Sequence, residues 1–329
     1  MKYAAVCILR CLSSSIGRYG DFSATISGVS LVSAASALPL GRVVPFPARA
    51  KSPIRGPGTA QLDLSVGPGG NTIVRDLFHS APMRVLFPLD SRDDVFQAAL
   101  AYVSGGLVGG DQVNVSVRLA KGAKAMVIGQ AAEKVYRSLG PDCVINNHLE
   151  VGPDAWLEWL PQETIIFDSA RLRRRTQARI HPQGRLLAGE ILVFGRAARG
   201  EGLRNGLVHD GWDIGEADGQ LNWRDVLHMD GDLAALLADP HTFDGAAAYG
   251  TMIYVDASAK RLLSFMREVA SQSTSDTLRI GVTALRNILL VRFLGKNTLE
   301  LRNAFARSWA MLRGEAAGLP CAMPRLWAI

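Results

Sequence analysis

The sequence has few soft metal ligands and sets none of them in a recognisable pattern. Its four cysteines are Cys7 and Cys11 near the start and Cys143 and Cys321, which stand alone. Neither a disulfide framework nor a cysteine-based zinc site is legible, as expected of a cytoplasmic protein. The six histidines (79, 148, 181, 209, 228 and 241) include no i, i+2 or i, i+4 pair, which argues against a tight transition-metal store. There is no serine elbow, no Cys/His pairing and no dinucleotide glycine pattern, so an enzymatic reading has no positive feature to rest on. No apolar run is long enough to cross a membrane: Arg10 interrupts the one at 3–12, and serines dilute the one at 29–40.

Acids are nearly missing from residues 1–56, which carry seven Lys or Arg against Asp21 alone. The formal net charge of the whole chain is +6, so the remainder is formally neutral and the basic balance is no nucleic-acid signal. This Ser-, Ala- and Arg-rich stretch closes in VVPFPARAKSPIRGPG. It reads as a disordered leader or an over-extended start, with a targeting segment as the alternative. Residues 57–329 read as one domain with ample apolar content for a core.

Within that domain the clearest strand is Val113, Val115, Val117 and Leu119, alternating with Asn114, Ser116 and Arg118. Further strands are predicted within 61–89, at 98–103, 125–128, 144–151, 157–167, 171–180 and 191–194, with more over 203–239. Turn signals at Gly122, Gly140-Pro141, Gly152-Pro153 and Pro182-Gln183-Gly184 recur about every dozen residues. That rhythm predicts a mainly β fold of stacked short strands, in a β-helix-like or sandwich arrangement. Two C-terminal helices follow. One lies over 258–272, the other over 297–313 with Asn297 and Glu300 spaced as a capping box. A strand or short buried run is expected within 283–295, and Pro324–Trp327 reads as an apolar anchor.

Two stretches carry more than architecture. Gly105, Gly106, Gly109 and Gly110 bracket two aliphatic residues before Asp111 and place it on a tight loop. No Lys-Ser/Thr follows, and a strand comes next instead of a helix, so this is not a phosphate loop. The second stretch is LEWLPQETIIFDSARLRRR, 157–175, where apolar residues at strand spacing enclose Glu158, Gln162, Glu163 and Asp168 before the charge reverses at Arg171. Pro161 cannot donate to a central ladder, so the strand must break there or lie at an edge. A solvated edge strand followed by an ordinary basic strand is the plain reading.

Five blocks in order resemble the urease accessory proteins of the UreD (UreH) family. They are GGLVGGD (105–111), AAEKVYRS (131–138), LEWLPQETIIFD (157–168), GEILVFGRAARGE (189–201), and LLVRFLG (289–295) with the terminal PRLW (324–327). The resemblance implies a non-catalytic maturation factor that binds apo-urease and a helical UreF-type partner. Through that partner it would engage a nickel-carrying UreG-type GTPase, in a complex that can dimerise, with no nucleic acid or membrane involved. It also implies no tightly bound cofactor. A transient nickel ion would pass along an internal hydrated path. Asp111, Glu158, Glu190 and Glu201 are the candidate acids for that path, since buried carboxylates need water, a counter-charge or a metal. The same acids could instead pair with Arg171, Arg173, Arg196 and Arg199. Glu163, Asp168, Arg171, Arg196, Arg292, Trp327 and the four loop glycines are expected in structural or interaction roles. A purely structural adaptor that never touches metal is the competing function.

Overall fold

In the computed structural model of the chain, which describes residues 57–88, 95–216 and 218–328, Val113, Val115, Val117 and Leu119 are all buried. The leader expected over 1–56 lies outside the described residues. The described residues open with two hairpins, β1 (Gly58–Val66) with β2 (Thr72–Ser80) and β3 (Met83–Leu86) with β4 (Phe96–Tyr102). It then winds in coils. The first holds β5 (Gln112–Leu119), β6 (Lys124–Gly129) and β7 (Glu133–Val135). The second holds β8 (Cys143–Val151), β9 (Trp156–Leu160) and β10 (Thr164–Ile166), and the third β11 (Arg171–Ile180) and β12 (Arg185–Phe194). Next come the hairpin of β13 (Asn205–Glu216) and β14 (Leu221–Asp232), and helix α1 (Leu233–Ala238). The last third runs β15 (Ala248–Val255), α2 (Leu263–Ser271), β16 (Leu278–Leu285), β17 (Ile288–Gly295) and α3 (Thr298–Ala317).

Successive coils put one strand in each of two sheets. The first sheet runs β14-β13-β11-β8-β5-β1-β2 and the second β16-β17-β15-β12-β9-β6-β4-β3, with β7 and β10 branching from β12. The stacked members β1, β5, β8, β11 and β13 are mutually parallel, as are β4, β6, β9 and β12. This is β-solenoid-like stacking, as the turn spacing predicts. The turns themselves stack: the Gly152 amide donates to Leu119 O at 2.9 Å and that of His181 to Val151 O at 2.8 Å. A Cβ on Gly152 would lie 2.8 Å from Leu119 O, so any side chain there would force the coils apart.

Three layers result. One apolar core fills the space between the sheets, and a second lies between the outer face of the β9-containing sheet and helices α2 and α3. Strand β9 sits between β12 and β6, so it is no solvated edge. Both of its faces are covered, which is why its alternation is hard to see in the sequence. Pro161 does break the run, since β9 ends at Leu160 and β10 begins at Thr164.

The helices differ from expectation at their ends. The first begins as a 3₁₀ turn, Ala259–Leu262, before α2. Asn297 caps α3 by accepting from the Glu300 amide at 3.1 Å. The Glu300 carboxylate does not return to Asn297; it accepts from Ser275 Oγ at 2.6 Å and Thr277 Oγ1 at 2.5 Å, so half of the capping box is traded for a link to the loop before β16. The region read as strands to 239 ends in α1, whose N-cap Asp232 accepts from the Ala235 amide at 3.0 Å. Among the described residues no helix is long and apolar enough to cross a membrane.

Candidate functional site

Period two decides which arginine of the basic strand goes inside. On β11 the side chains of Arg171, Arg173 and Arg175 leave the core, while Leu172, Arg174, Thr176 and Ala178 point between the sheets. On the outside, Arg171 Nε donates to Asp142 Oδ1 at 2.6 Å, Arg173 pairs with the other oxygen of Asp142, and Arg175 and Arg224 share Asp213. Inside, the neighbouring strands supply polar residues in register. Asn147 on β8 donates to Thr176 Oγ1 at 3.0 Å, and Asp210 on β13 stands beside Arg174.

Arg174 is 5% exposed and holds two carboxylates. Its Nη2 lies 2.6 Å from Asp210 Oδ2 and 2.7 Å from Glu190 Oε2, and its Nη1 donates to Thr164 Oγ1 at 2.9 Å. The indole of Trp212 donates to Glu190 Oε1 at 2.5 Å. Two carboxylates face one guanidinium, so ionisation of both would leave one surplus negative charge, and at neutral pH Glu190 keeps its proton beside Asp210. Burial pushes the Glu190 carboxyl above its ordinary range, against the pull of Arg174.

This cluster forms part of the wall of a cavity of about 200 Å³ between the sheets. Its other polar lining includes Tyr102, Glu133, Asn147, Gln162 and Thr164. Burial raises the Glu133 carboxyl to about 7, so it titrates where a cation could replace its proton. The glycine loop closes one side. Gly106, at φ +145°, would place a Cβ 2.5 Å from the Tyr136 ring and 2.9 Å from Lys134 O, and Leu107 is buried in the seam with Val135. Gly105 also lines the cavity, whereas Gly109 and Gly110 pack the loop against Pro141. A neighbouring cavity of about 300 Å³ shares Gln130, Ala131, Ala132 and Gln162 with the first and adds Glu163, Arg302 and Leu326. The chain end covers it. Arg302 pairs with Glu163, donates to Gln162 Oε1 at 3.1 Å and to Trp327 O at 2.6 Å, and Trp327 stacks on Phe305 at 5.7 Å.

The four acids read from the sequence as one path lie in four settings. Glu190 lines the cavity. Asp111 stands behind its wall, where Oδ2 accepts from Tyr102 OH at 3.2 Å and from the Val108 amide at 2.9 Å. Glu158 points the other way, into the core under the helices. It is 0% exposed and accepts from Arg313 Nε at 2.8 Å, Trp156 Nε1 at 2.9 Å and Trp309 Nε1 at 3.1 Å. Glu201 pairs with Arg196 in a shallow groove also lined by Phe167 and Asp168. There Arg196 lies over the Phe167 ring at 4.3 Å. Asp168 accepts from the amides of Arg204 at 2.8 Å and Asn205 at 3.1 Å. Partial burial alone would raise its carboxyl, but those bonds outweigh it and hold the group below its ordinary value. Arg292, buried on β17, joins Tyr249 to Asp225 at 2.7 Å.

Three residues at the cavity are not among the acids and arginines singled out from the sequence: Arg174 and Glu133, which lie inside the quoted motifs, and Asp210, which lies outside them. For Arg174 and Asp210 a signal exists, a charge at the apolar phase of an alternating strand (Leu172, Arg174, Ala178, Ile180; Val208, Asp210, Trp212, Ile214). Glu133 lies on a strand too short to show a phase. Among the described residues no group of three or more His, Cys, Asp or Glu is arranged to hold a metal ion.

Residues 57–328 match the family described as UreD urease accessory protein. Over 262 residues the chain is 40% identical to the urease accessory protein UreD of Magnetococcus marinus, covering 79% of this chain and 90% of that one. It is 39% identical over 244 residues to the protein of that name from Granulibacter bethesdensis, covering 74% and 99%. The Methylobacterium sp. protein is 37% identical over 275 residues, covering 83% and 95%.

Proposed function

Because the chain belongs to the UreD urease accessory protein family, and so serves urease maturation as a non-catalytic accessory protein, we propose that it passes nickel toward apo-urease through the cavity between its sheets. The observation that carries this reading is Arg174 held between Glu190 and Asp210 on the cavity wall. A hydrated divalent cation in the cavity would displace the proton that Glu190 holds and meet the negative charge so released. Ligands of carboxylate and water hold nickel less tightly than nitrogen or sulfur would, which suits transfer and not storage. Glu133 adds a second carboxylate to the same wall, and Gln162 joins this space to the neighbouring one beneath the chain end. Asp111 acts by fixing Tyr102 and the glycine loop. Glu158 and Glu201, each with its own arginine, serve as fasteners outside the path.

In this reading the protein works in the cytoplasm, docked on apo-urease and on a UreF-type helical partner that brings the UreG-type GTPase, in a complex able to dimerise. The test is co-expression of apo-urease and its other maturation factors with the full chain, with Glu190→Ala or with Asp111→Ala. Nickel per urease is measured alongside co-purification of the complex. Lower loading with the complex intact supports the conduit. Wild-type loading in both variants removes it and leaves a purely structural adaptor.

A further inference from the structure

The sequence holds no local histidine pair, but the β13–β14 hairpin makes one. His209 and His228 are directly opposed in the antiparallel register. Their Nδ1 atoms lie 3.2 Å apart, with ring centroids at 5.3 Å and planes inclined by 68°. Both rings are on the outer face of the first sheet, where β14 is the edge strand, with His228 exposed and His209 half-buried. Two imidazole nitrogens bound to one ion at about 2.0–2.1 Å are separated by about 2.9 Å at a right angle and about 3.4 Å at the tetrahedral angle. The observed spacing falls between these values.

The geometry points to a labile surface site in which His209 Nδ1 and His228 Nδ1 together bind one divalent first-row transition cation, with water completing its coordination. Imidazole selects nickel, copper or zinc over magnesium and calcium. Binding requires the shared proton to leave, each ring to carry its proton on Nε2, and the rings to turn so that both Nδ1 lone pairs converge on the ion. The nearby Arg173 charge opposes the incoming cation, and Asp210 is turned inward onto Arg174. With two protein ligands and a positive neighbour, the site exchanges its ion readily. It is separate from the interior cavity and does not depend on the role proposed for that cavity.

Cobalt(II) is a suitable probe because it shifts and broadens the NMR signals of the ring protons of a ligating imidazole. Because the ion exchanges readily, the full chain titrated with cobalt(II) is expected to show the carbon-bound ring protons of the two histidines moving and broadening progressively, one set of signals for each ring. Both responses should be lost in His209→Ala and in His228→Ala, and both kept in Glu190→Gln. The exposed position of the pair leaves the fold intact, which the melting temperature of each variant checks. No moving imidazole signal in the wild-type chain, or the same responses in the two histidine variants, overturns the assignment. So does their loss in Glu190→Gln with both histidines present.

Discussion

Arg174 and Glu190 come from opposite sheets and meet with Nη2 2.7 Å from Oε2, in a cluster that also holds Asp210. The pair ties β11 to β12 across the core, and its energetics are asymmetric. Two acids share one base and Glu190 holds its proton at neutral pH, so removing the base strands a buried anion whereas replacing Glu190 by its amide changes no net charge.

Arg174→Met leaves Glu190 and Asp210 buried without a counter-charge and is expected to destabilise the fold by about 3–5 kcal/mol. Glu190→Gln keeps the shape and, because Glu190 is protonated at neutral pH, the charge as well, and should cost far less. Urea unfolding of the two variants beside wild type checks the order, and equal losses would contradict the charge count.

Glu158 accepts hydrogen bonds from Trp156, Trp309 and Arg313. Glu158→Ala removes the acceptor of two buried indole N–H groups and the carboxylate beside the Arg313 guanidinium, whose Nη1 still donates to Pro320 O at 2.7 Å, with an expected loss of about 3–5 kcal/mol. Since its side chain lies across the sheet from the cavity, nickel loading per folded molecule should stay at the wild-type level. A loading defect in fully folded protein would place Glu158 on the path after all.

Glu133 titrates near 7 in the fold, against an ordinary carboxylate value of 4.5. Between those values the folded state keeps a proton that the unfolded state has lost, so stability falls as pH rises through the window. Glu133→Gln should flatten that slope, measured by urea midpoints from pH 5 to 7.5. Nickel uptake by the wild-type chain should rise over the same range as the cation displaces the proton.

Gly106→Ala puts a Cβ against the Tyr136 ring and Lys134 O at a left-handed φ. The expected cost is on the order of 1–3 kcal/mol, with the glycine loop displaced from the cavity wall. Weaker quenching or a shifted emission is not the measure here; limited proteolysis at the loop is, and unchanged cleavage would show that the loop absorbs the methyl group.

Period-two alternation, visible in the residues themselves, was enough to predict β5 and β11 and the burial of Val113, Val115 and Val117. Turn residues at near-regular spacing were enough to predict stacked coils, because a tight turn between short strands leaves few other ways to cover an apolar face. Five ordered motifs were enough to point to the family. What could not be read was direction and company. Glu158 and Glu190 are both acids in apolar strands, yet one faces the helices and the other the cavity, because β9 and β12 are covered on both sides and alternation then carries no label. His209 and His228 are far apart in sequence and meet only through hairpin register. Local sequence determines which backbone conformation a segment adopts and which of its side chains share a face. Which charges meet across the core, and therefore which acid is paired with its own arginine and which holds its proton, depends on the packing of strands remote in sequence, and only the tertiary structure decides it.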